Sequence, residues 1–431
     1  MLNALKKILV TLLVWEARLV LWRHKPRIIA VTGSVGKTTT KDAIYAGLSG
    51  TLHMRKSAKS FNSDIGVPLT ILGCENAWSN PFLWIGNLFK GLALIVLPAD
   101  YPQWLVLEVG ADRPGDIRRI AKWLRPEIAV FTGVPEIPAH VEYFSSPEDV
   151  MKEKRALAEY VRPGGKLVIN GDDLRSRQLH GDYRGISVTY GCESNNDFFS
   201  SHEEIVYKDD EPVGVRFRAN HGASSIPVNV HGALGRPRVY AALAAIAVGD
   251  CVGVDSVSVS RALDTWEPPP GRVRILPGMK YSVLIDDTYN SSPVAALAAL
   301  DLLADIRTSG RKIAILGDML ELGRYTKEAH RQVGERAAKM TDVLVTVGFR
   351  SRAIAEAALD AGMPEMSIRQ YDMGEAERVA KELLPELRKG DIILVKGSQG
   401  MRLEKCVRAL MAEPDRAAEL LVRMEDEWSR R

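Results

Sequence analysis

Apolar positions along the chain fall into two rhythms. Short β-branched runs, each closed by a polar or glycine-containing turn, occur at Arg27–Thr32 (RIIAVT), Trp104–Val109 (WLVLEV), Ile128–Thr132 and Lys166–Asn170 (KLVIN). Such runs predict buried strands. Between them the spacing changes to that of helices: from about Lys37, over Ile117–Leu124 and over Met151–Tyr160. Strand and helix in alternation predict an α/β unit with a mainly parallel sheet. Residues 185–230 carry shorter β-like runs separated by polar turns, and Val239–Val248 reads as an Ala-rich helix. Trp266–Arg272 (WEPPPGR) is the strongest linker signal, three prolines followed by a glycine. The alternation then restarts through Ser282–Asp286, Val294–Leu303, Lys312–Leu316, Lys327–Met340, Val343–Val347 and Ile392–Val395, which predicts a second doubly wound unit. The expected organisation is residues 1–26, then a domain over 27–268, then a domain over 269–431.

The first 26 residues have a pattern of their own. At 100° per residue, Leu2, Leu5, Ile8, Leu9, Leu12, Leu13, Trp15, Leu19, Val20 and Trp22 share one broad face, with Asn3, Lys6, Lys7, Thr11 and Arg18 opposite and Glu16 inside the apolar arc. The pattern predicts an N-terminal amphipathic helix, ended by Pro26. Its longest uncharged run, Ile8–Trp15, is far short of the ~20 residues a membrane span needs. No small-residue cleavage site follows it, which argues against a signal peptide. A second apolar stretch, Phe82–Pro98, carries one charge, Lys90. Four of the eight Trp residues (15, 22, 78 and 84) lie in or beside these two segments. The expectation is contact with the inner face of a membrane through residues 1–24 and 78–98; the competing expectation is packing on the chain's own domain or on a partner.

Composition adds limits. Apolar residues at 46% and charged residues at 26% describe an ordinary globular chain and exclude wholesale disorder. A net charge of +3 is too small for a nucleic-acid binder. Residues 1–27 hold six basic side chains against one acid, so the remaining chain is slightly acidic and the excess marks the N-terminal segment. Cys74, Cys192, Cys251 and Cys406 form no CxxC pair, which excludes a disulfide scaffold and the usual cysteine zinc knuckle and suits a cytosolic chain.

Thr32–Thr40 (TGSVGKTTT) carries the candidate chemistry. A strand, a glycine turn and a helix start stand in the order that lets backbone N–H groups cradle phosphate oxygens. The turn residues Gly33, Ser34, Val35 and Gly36, with Thr39 at the helix start, are the expected nucleotide contacts. Lys37 would reach the β/γ-phosphates and the Thr38 hydroxyl would ligate Mg²⁺. The strict G-x-x-x-x-G-K-[ST] pattern fails because position 31 is Val; the shorter G-x-x-G-K-T is present. Glu108 closes the strand at 104–109, where an open sheet places an acidic metal ligand. His140 lies in a proline-rich loop after the next strand.

TGSVGKTTT, FNSDIGVPLTIL (61–72), LEVGADRPGDI (107–117), PAHVEYFSSPEDVMKEK (138–154), LVINGDD (167–173), IDDTYNSSP (285–293), ILGDMLELG (315–323) and VLVKGSQGMRLE (394–404) occur in this order. Together they resemble the Mur ligases, and within them most closely the MurF branch, over about residues 28–412. The resemblance implies a P-loop ATPase-type central domain, a Rossmann-like C-terminal domain, ATP and Mg²⁺. It implies amide-bond formation in two steps: ATP phosphorylates a carboxylate, and an amine displaces the phosphate. The implied substrates are a peptidoglycan-precursor peptide and D-Ala-D-Ala. In the implied site, Lys37 binds phosphates, Thr38 and Glu108 hold one Mg²⁺, and His140 joins Glu108 at a second. Lys154 matches a lysine that the family carbamylates to make a metal-site anion. Asn62 matches an asparagine near substrate and phosphates; Arg272, Asp286, Asp287 and Asn290 match residues that meet the nucleotide from the second domain.

Two departures stand out. The polar G-R-H-N-x-x-N stretch that helps hold adenine in the MurF branch is replaced here by Gly235-Arg236-Pro237-Arg238-Val239-Tyr240-Ala241, so either the pocket is rearranged, with Arg238 stacking on the base, or adenine binding is weakened; the rearranged pocket is the expectation. The family's UDP-gripping N-terminal domain has no counterpart before the first strand, where the N-terminal helix stands, so lipid contact is expected to replace UDP contact. Three readings compete: a D-Ala-D-Ala-adding ligase, the same chemistry on a lipid-linked or other acid, and a non-catalytic membrane-associated nucleotide-binding scaffold.

Overall fold

The computed structural model describes residues 2–58, 60–138, 140–425 and 428, with the side chains of residues 2–6 left aside. The expected placing of Leu2, Asn3, Leu5 and Lys6 on the helix faces therefore lies outside the described side chains.

The expected α/β architecture with mostly parallel sheets is present. The first sheet has nine strands: β1 (Arg27–Thr32), β2 (Met54–Lys56), β3 (Trp104–Glu108), β4 (Ile128–Phe131), β5 (Lys166–Asn170), β6 (Ile186–Gly191), β7 (Phe198–Lys208), β8 (Glu211–His221) and β9 (Ser224–His231). Their order is β2-β3-β1-β4-β5-β6-β7-β8-β9. Pairing is parallel from β2 to β7 and antiparallel from there to β9. The region expected to hold short β runs instead forms a long meander, with β7 and β8 each 11 residues long. Ser-, Glu- and Arg-rich outer positions hide that length in the sequence, because one face of these strands meets solvent.

The buried strands read as continuous apolar runs because both faces are covered. On one face pack α2 (Lys37–Leu48) and the Ala-rich helix Arg236–Val252. On the other lie α1 (Leu2–His24), α3 (Gly66–Leu72), α4 (Pro81–Val96), α5 (Asp116–Leu124) and α6 (Pro147–Glu159). Each fully buried Leu, Ile or Val contributes roughly 1.5–3 kcal/mol by leaving water, so this two-sided burial dominates the stability of the unit.

A helix forms at the N-terminus as expected, but its faces are arranged differently. Leu13, Glu16, Ala17 and Val20 are buried against the rest of the chain, whereas Ile8, Leu12, Trp15 and Trp22 are exposed beside Lys7, Thr11 and Arg18. The apolar arc is thus split between the protein core and the outside. Glu16, which looked misplaced, lies on the inward face.

The second sheet has six strands: β10 (Arg274–Pro277), β11 (Val283–Asp287), β12 (Lys312–Gly317), β13 (Val343–Val347), β14 (Ile368–Tyr371) and β15 (Ile392–Lys396). Their order is β10-β11-β15-β12-β13-β14, all parallel except the β10 edge. The Pro-rich segment after Trp266 lies between the two sheets.

Candidate active site

The carboxyl ends of β1, β3 and β4 meet where the strand order reverses about β1, the place where open α/β sheets bind ligands. The glycine turn after β1 sits here. Gly36 caps α2 with φ 77°, a left-handed conformation that glycine adopts without strain. Gly33 is held against the end of β4: a Cβ there would lie 2.0 Å from Thr132 Oγ1. Thr132 Oγ1 donates to the Val35 carbonyl at 2.5 Å, and the Ser34 N–H donates to the Gly133 carbonyl at 2.8 Å. The turn is therefore fixed before any ligand arrives.

Thr38 and Glu108, paired by expectation, touch. Thr38 Oγ1 donates to Glu108 Oε2 at 2.7 Å, and Asn62 Nδ2 donates to Glu108 Oε1 at 2.9 Å. Glu108 is buried. Two further groups converge on the Thr38 hydroxyl: Ser60 Oγ at 2.9 Å and Arg272 Nη2 at 2.9 Å. Arg272 also lies over the Tyr289 ring, 4.0 Å from its centroid. It crosses from beyond the linker to the phosphate turn, as expected.

Lys37 reaches back only to the Ser34 carbonyl, at 3.5 Å. Burial pushes its amine below the ordinary lysine range, against the pull of Glu108. Lys154 comes from α6 and is buried; burial, reinforced by the charge of Lys37, pushes it down to about 7. Its helix, MKEKRALAEY, gives no sign of this in the sequence. Ser34 Oγ and Thr32 Oγ1 are buried without a hydrogen-bond partner. Two desolvated amines, unpaired hydroxyls and a rigid glycine turn fit a polyphosphate. The Thr38 hydroxyl and Glu108 carboxylate are the hard oxygen donors that suit Mg²⁺.

Other expected residues are placed differently. His140, at φ 64°, contacts Glu321 Oε2 of the second unit through Nδ1 at 2.5 Å and lies 4.0 Å from Asp112 through Nε2. His140 holds the Glu321 carboxyl below its usual range. No group of three or more His, Cys, Asp or Glu among the described residues is arranged to hold a metal. In this arrangement His140 contacts Glu321 and lies near Asp112, both carboxylates other than Glu108. Asp286 is engaged inside its own loop, accepting from the Gly271 N–H at 3.0 Å and from Thr288 Oγ1 at 2.6 Å; burial pushes it up to about 6. Asp287 pairs with Lys396 at 2.6 Å. Asn290 alone of the three is exposed. Asp286 and Asp287 thus hold the shape of the loop that carries Asn290.

Arg238 is not free to lie on a base. It is 1% exposed, sits 5.5 Å from the Trp266 ring centroid and donates through Nη2 to the Arg272 carbonyl. Sequence reasoning missed Ser60, Asp112 and Glu321 as site neighbours, although the last two stand inside quoted motifs. Glu153, also unremarked, receives N–H groups of Gly115 and Ile117 at 2.7 Å and so anchors the start of α5 beside Lys154.

Residues 31–83 and 91–249 match the Mur ligase middle domain, and residues 271–399 match the glutamate ligase domain of Mur ligases. The chain is 29% identical over 390 residues to the UDP-N-acetylmuramoyl-tripeptide–D-alanyl-D-alanine ligase of Bacillus subtilis, covering 90% of this chain and 76% of that one. It is 30% identical over 397 residues to the enzyme of the same name from Synechocystis, covering 91% and 76%. Among solved structures, MurF ligase from Thermotoga maritima in complex with ADP superimposes with a TM-score of 0.74 at 26% identity, covering 95% of this chain and 84% of that one.

Proposed function

The chain belongs to the Mur ligase family, and from that premise we propose that it is an ATP- and Mg²⁺-dependent ligase that joins a carboxylate to an amine. A peptidoglycan-precursor peptide is the acceptor and D-alanyl-D-alanine the amine. The observation that carries this reading is the Thr38–Glu108–Asn62 network beside a rigid phosphate turn, with Arg272 arriving from beyond the linker. The relatives named above supply the substrate class.

ATP supplies the phosphoryl group, and Mg²⁺ lets two anions approach each other. The turn at 33–36 and Lys37 grip phosphate oxygens. Lys37, already desolvated, holds its positive charge best once an anion arrives. Thr38 and Glu108 would hold the metal, with Asn62 fixing the carboxylate rotamer. A carboxylate oxygen of the acceptor attacks the γ-phosphorus and ADP leaves. The amine then attacks the acyl carbon, loses a proton and expels phosphate. Residues 27–268 carry the phosphate machinery and residues 269–431 the amine, and closure about the segment near residue 268 brings them together.

Lys154 is the carbamylated lysine in this reading. Its position in a buried, cation-rich corner supports the assignment, since a carbamate would replace a costly charge with an anion able to reach the metal. His140 would join the same site if its contact with Glu321 opened. A non-catalytic nucleotide-binding scaffold would need Lys37 for phosphate but would have no use for a buried amine at Lys154. A second reading, the same chemistry on a lipid-linked acceptor, is favoured by the apolar outer faces of α1 and α4.

The test is phosphate release by the full chain from ATP and Mg²⁺ with UDP-N-acetylmuramoyl-tripeptide and D-Ala-D-Ala. Release is expected to need both substrates and to fall by about 100-fold or more in Lys37→Ala. Release with a lipid-linked peptide alone selects the second reading. Release with no acceptor under any condition overturns both.

A further inference from the structure

The outer surface of α1 and α4 is unlike the rest of the molecule. On α4, Phe82, Ile85, Phe89, Leu92 and Val96 are all exposed, Phe82 by 80% and Phe89 by 68%. Their spacing of three and four residues makes one continuous apolar stripe. On α1, Ile8, Leu12, Trp15 and Trp22 form a second exposed stripe, with Trp22 at 76%. The two helices cross where Gly91 meets Glu16, and their ends are joined by Arg23 donating to the Leu97 carbonyl at 3.2 Å. Soluble proteins rarely leave an apolar surface of this extent bare without a partner for it.

The charges on the two helices are mostly basic, with Glu75 beside Asn87 and Asp100 just beyond Leu97 as exposed acids at the margin. Lys7, Arg18, Arg23 and Lys25 are exposed along α1 and just beyond it, and Lys90 is exposed on α4. The one acid of α1, Glu16, faces inward. Arg18 and Trp22 also line a cavity of about 370 Å³, shared with Lys122, Trp123, Arg125 and Arg162. The one acid in that cavity, Glu127, is already paired with Arg27 and Arg162. Arg18, Lys122 and Arg125 have no carboxylate partner among the described residues. No helix among those residues is long and apolar enough to cross a membrane.

We infer that α1 and α4 form a platform that lies on an anionic lipid bilayer, with lipid phosphate headgroups entering the cavity beside Arg18 and Trp22. Each part of the surface has a counterpart in the bilayer. The apolar stripes enter the acyl boundary, the two Trp residues sit at headgroup depth, and the basic rim meets anionic phosphate. The absence of any acid from either exposed stripe suits a surface of negative charge. The inference is independent of which acceptor the enzyme uses.

The experiment is vesicle flotation of the full chain. Vesicles of phosphatidylcholine with 30% phosphatidylglycerol, roughly the anionic content of a charged leaflet, are compared with phosphatidylcholine alone. The chain is expected to float with the anionic vesicles and to be released at high salt. Phe82→Ser with Phe89→Ser should lower binding at least tenfold. Arg18→Gln with Lys122→Gln should remove the preference for anionic vesicles. All four positions are solvent-facing, and circular dichroism checks that the variants fold. No flotation of the folded wild-type chain overturns the inference, as does flotation that neither variant alters. A self-associating chain whose association, and not flotation, is abolished by the Phe variants would assign the face to a second copy instead.

Discussion

Lys37 and Lys154 are buried amines whose charges feel each other at one end of the central sheet. Each would be costly as an isolated cation. For Lys37 the remedy is a phosphate. For Lys154, at about 7, a substantial part of the population is neutral near neutral pH, and the neutral amine is the form that adds CO₂. Raising the pH through 7 therefore favours carbamate formation until carbon dioxide itself is depleted as bicarbonate. Lys154→Ala is expected to lose at least about 100-fold in amide formation, and added short-chain carboxylates such as formate or acetate should restore part of the rate. Full activity of the variant would remove Lys154 from the site. The Thr38–Glu108 pair was legible in the sequence because both residues stand at strand ends with recognisable neighbours. Ser60 and the burial of Lys154 were not, because each depends on how a loop or helix packs against a distant segment.

Helices α1 and α4 show what periodicity reads and what it misses. It marked α1 as a helix and the α4 segment as an apolar stretch, and it marked the central strands of the two sheets, whose two-sided burial leaves uninterrupted apolar runs. It could not say which part of the α1 arc faces the core. That is set by the close crossing at Gly91, where a Cβ would lie 2.2 Å from Glu16 Oε2. Glu16 is buried with Oε2 unpartnered, and burial pushes its carboxyl up to about 7 from an ordinary value of 4.5. Between those values the folded chain keeps a proton that the unfolded chain has released. Stability therefore falls as pH rises through this window and is lowest above 7. Glu16→Gln should be more stable than wild type at pH 8, on the order of 1 kcal/mol, with the advantage vanishing toward pH 4.5. Urea midpoints at the two pH values check this; an equal difference at both would contradict it.

At the scale of the molecule, some of the polar ties between the two sheets meet at the site, while others, such as the Arg307 N–H with Tyr207 and the Ile275 N–H with Gly232, lie along the sheet edges. Arg238, stacked on Trp266, holds the Arg272 carbonyl while the Arg272 guanidinium holds Thr38. His140 meets Glu321 across the cleft. The Pro-rich linker and the restart of the strand–helix alternation mark two sheets in the sequence itself. The cross-cleft pairs were not announced, because residues some 180 to 230 positions apart in sequence carry no local sign that they meet. The same holds for Arg238, whose sequence neighbours suggested an exposed base-stacking role and whose surroundings bury it.

The central claim is that an acceptor carboxylate is activated by phosphorylation and then captured by an amine. It is tested most directly by following oxygen. An acceptor peptide labelled with ¹⁸O in the reacting carboxylate is turned over with ATP, Mg²⁺ and D-Ala-D-Ala, and the released inorganic phosphate is analysed by mass spectrometry. The account predicts one ¹⁸O atom in each phosphate released by amide formation from fully labelled carboxylate. Unlabelled phosphate accompanying amide formation would contradict it.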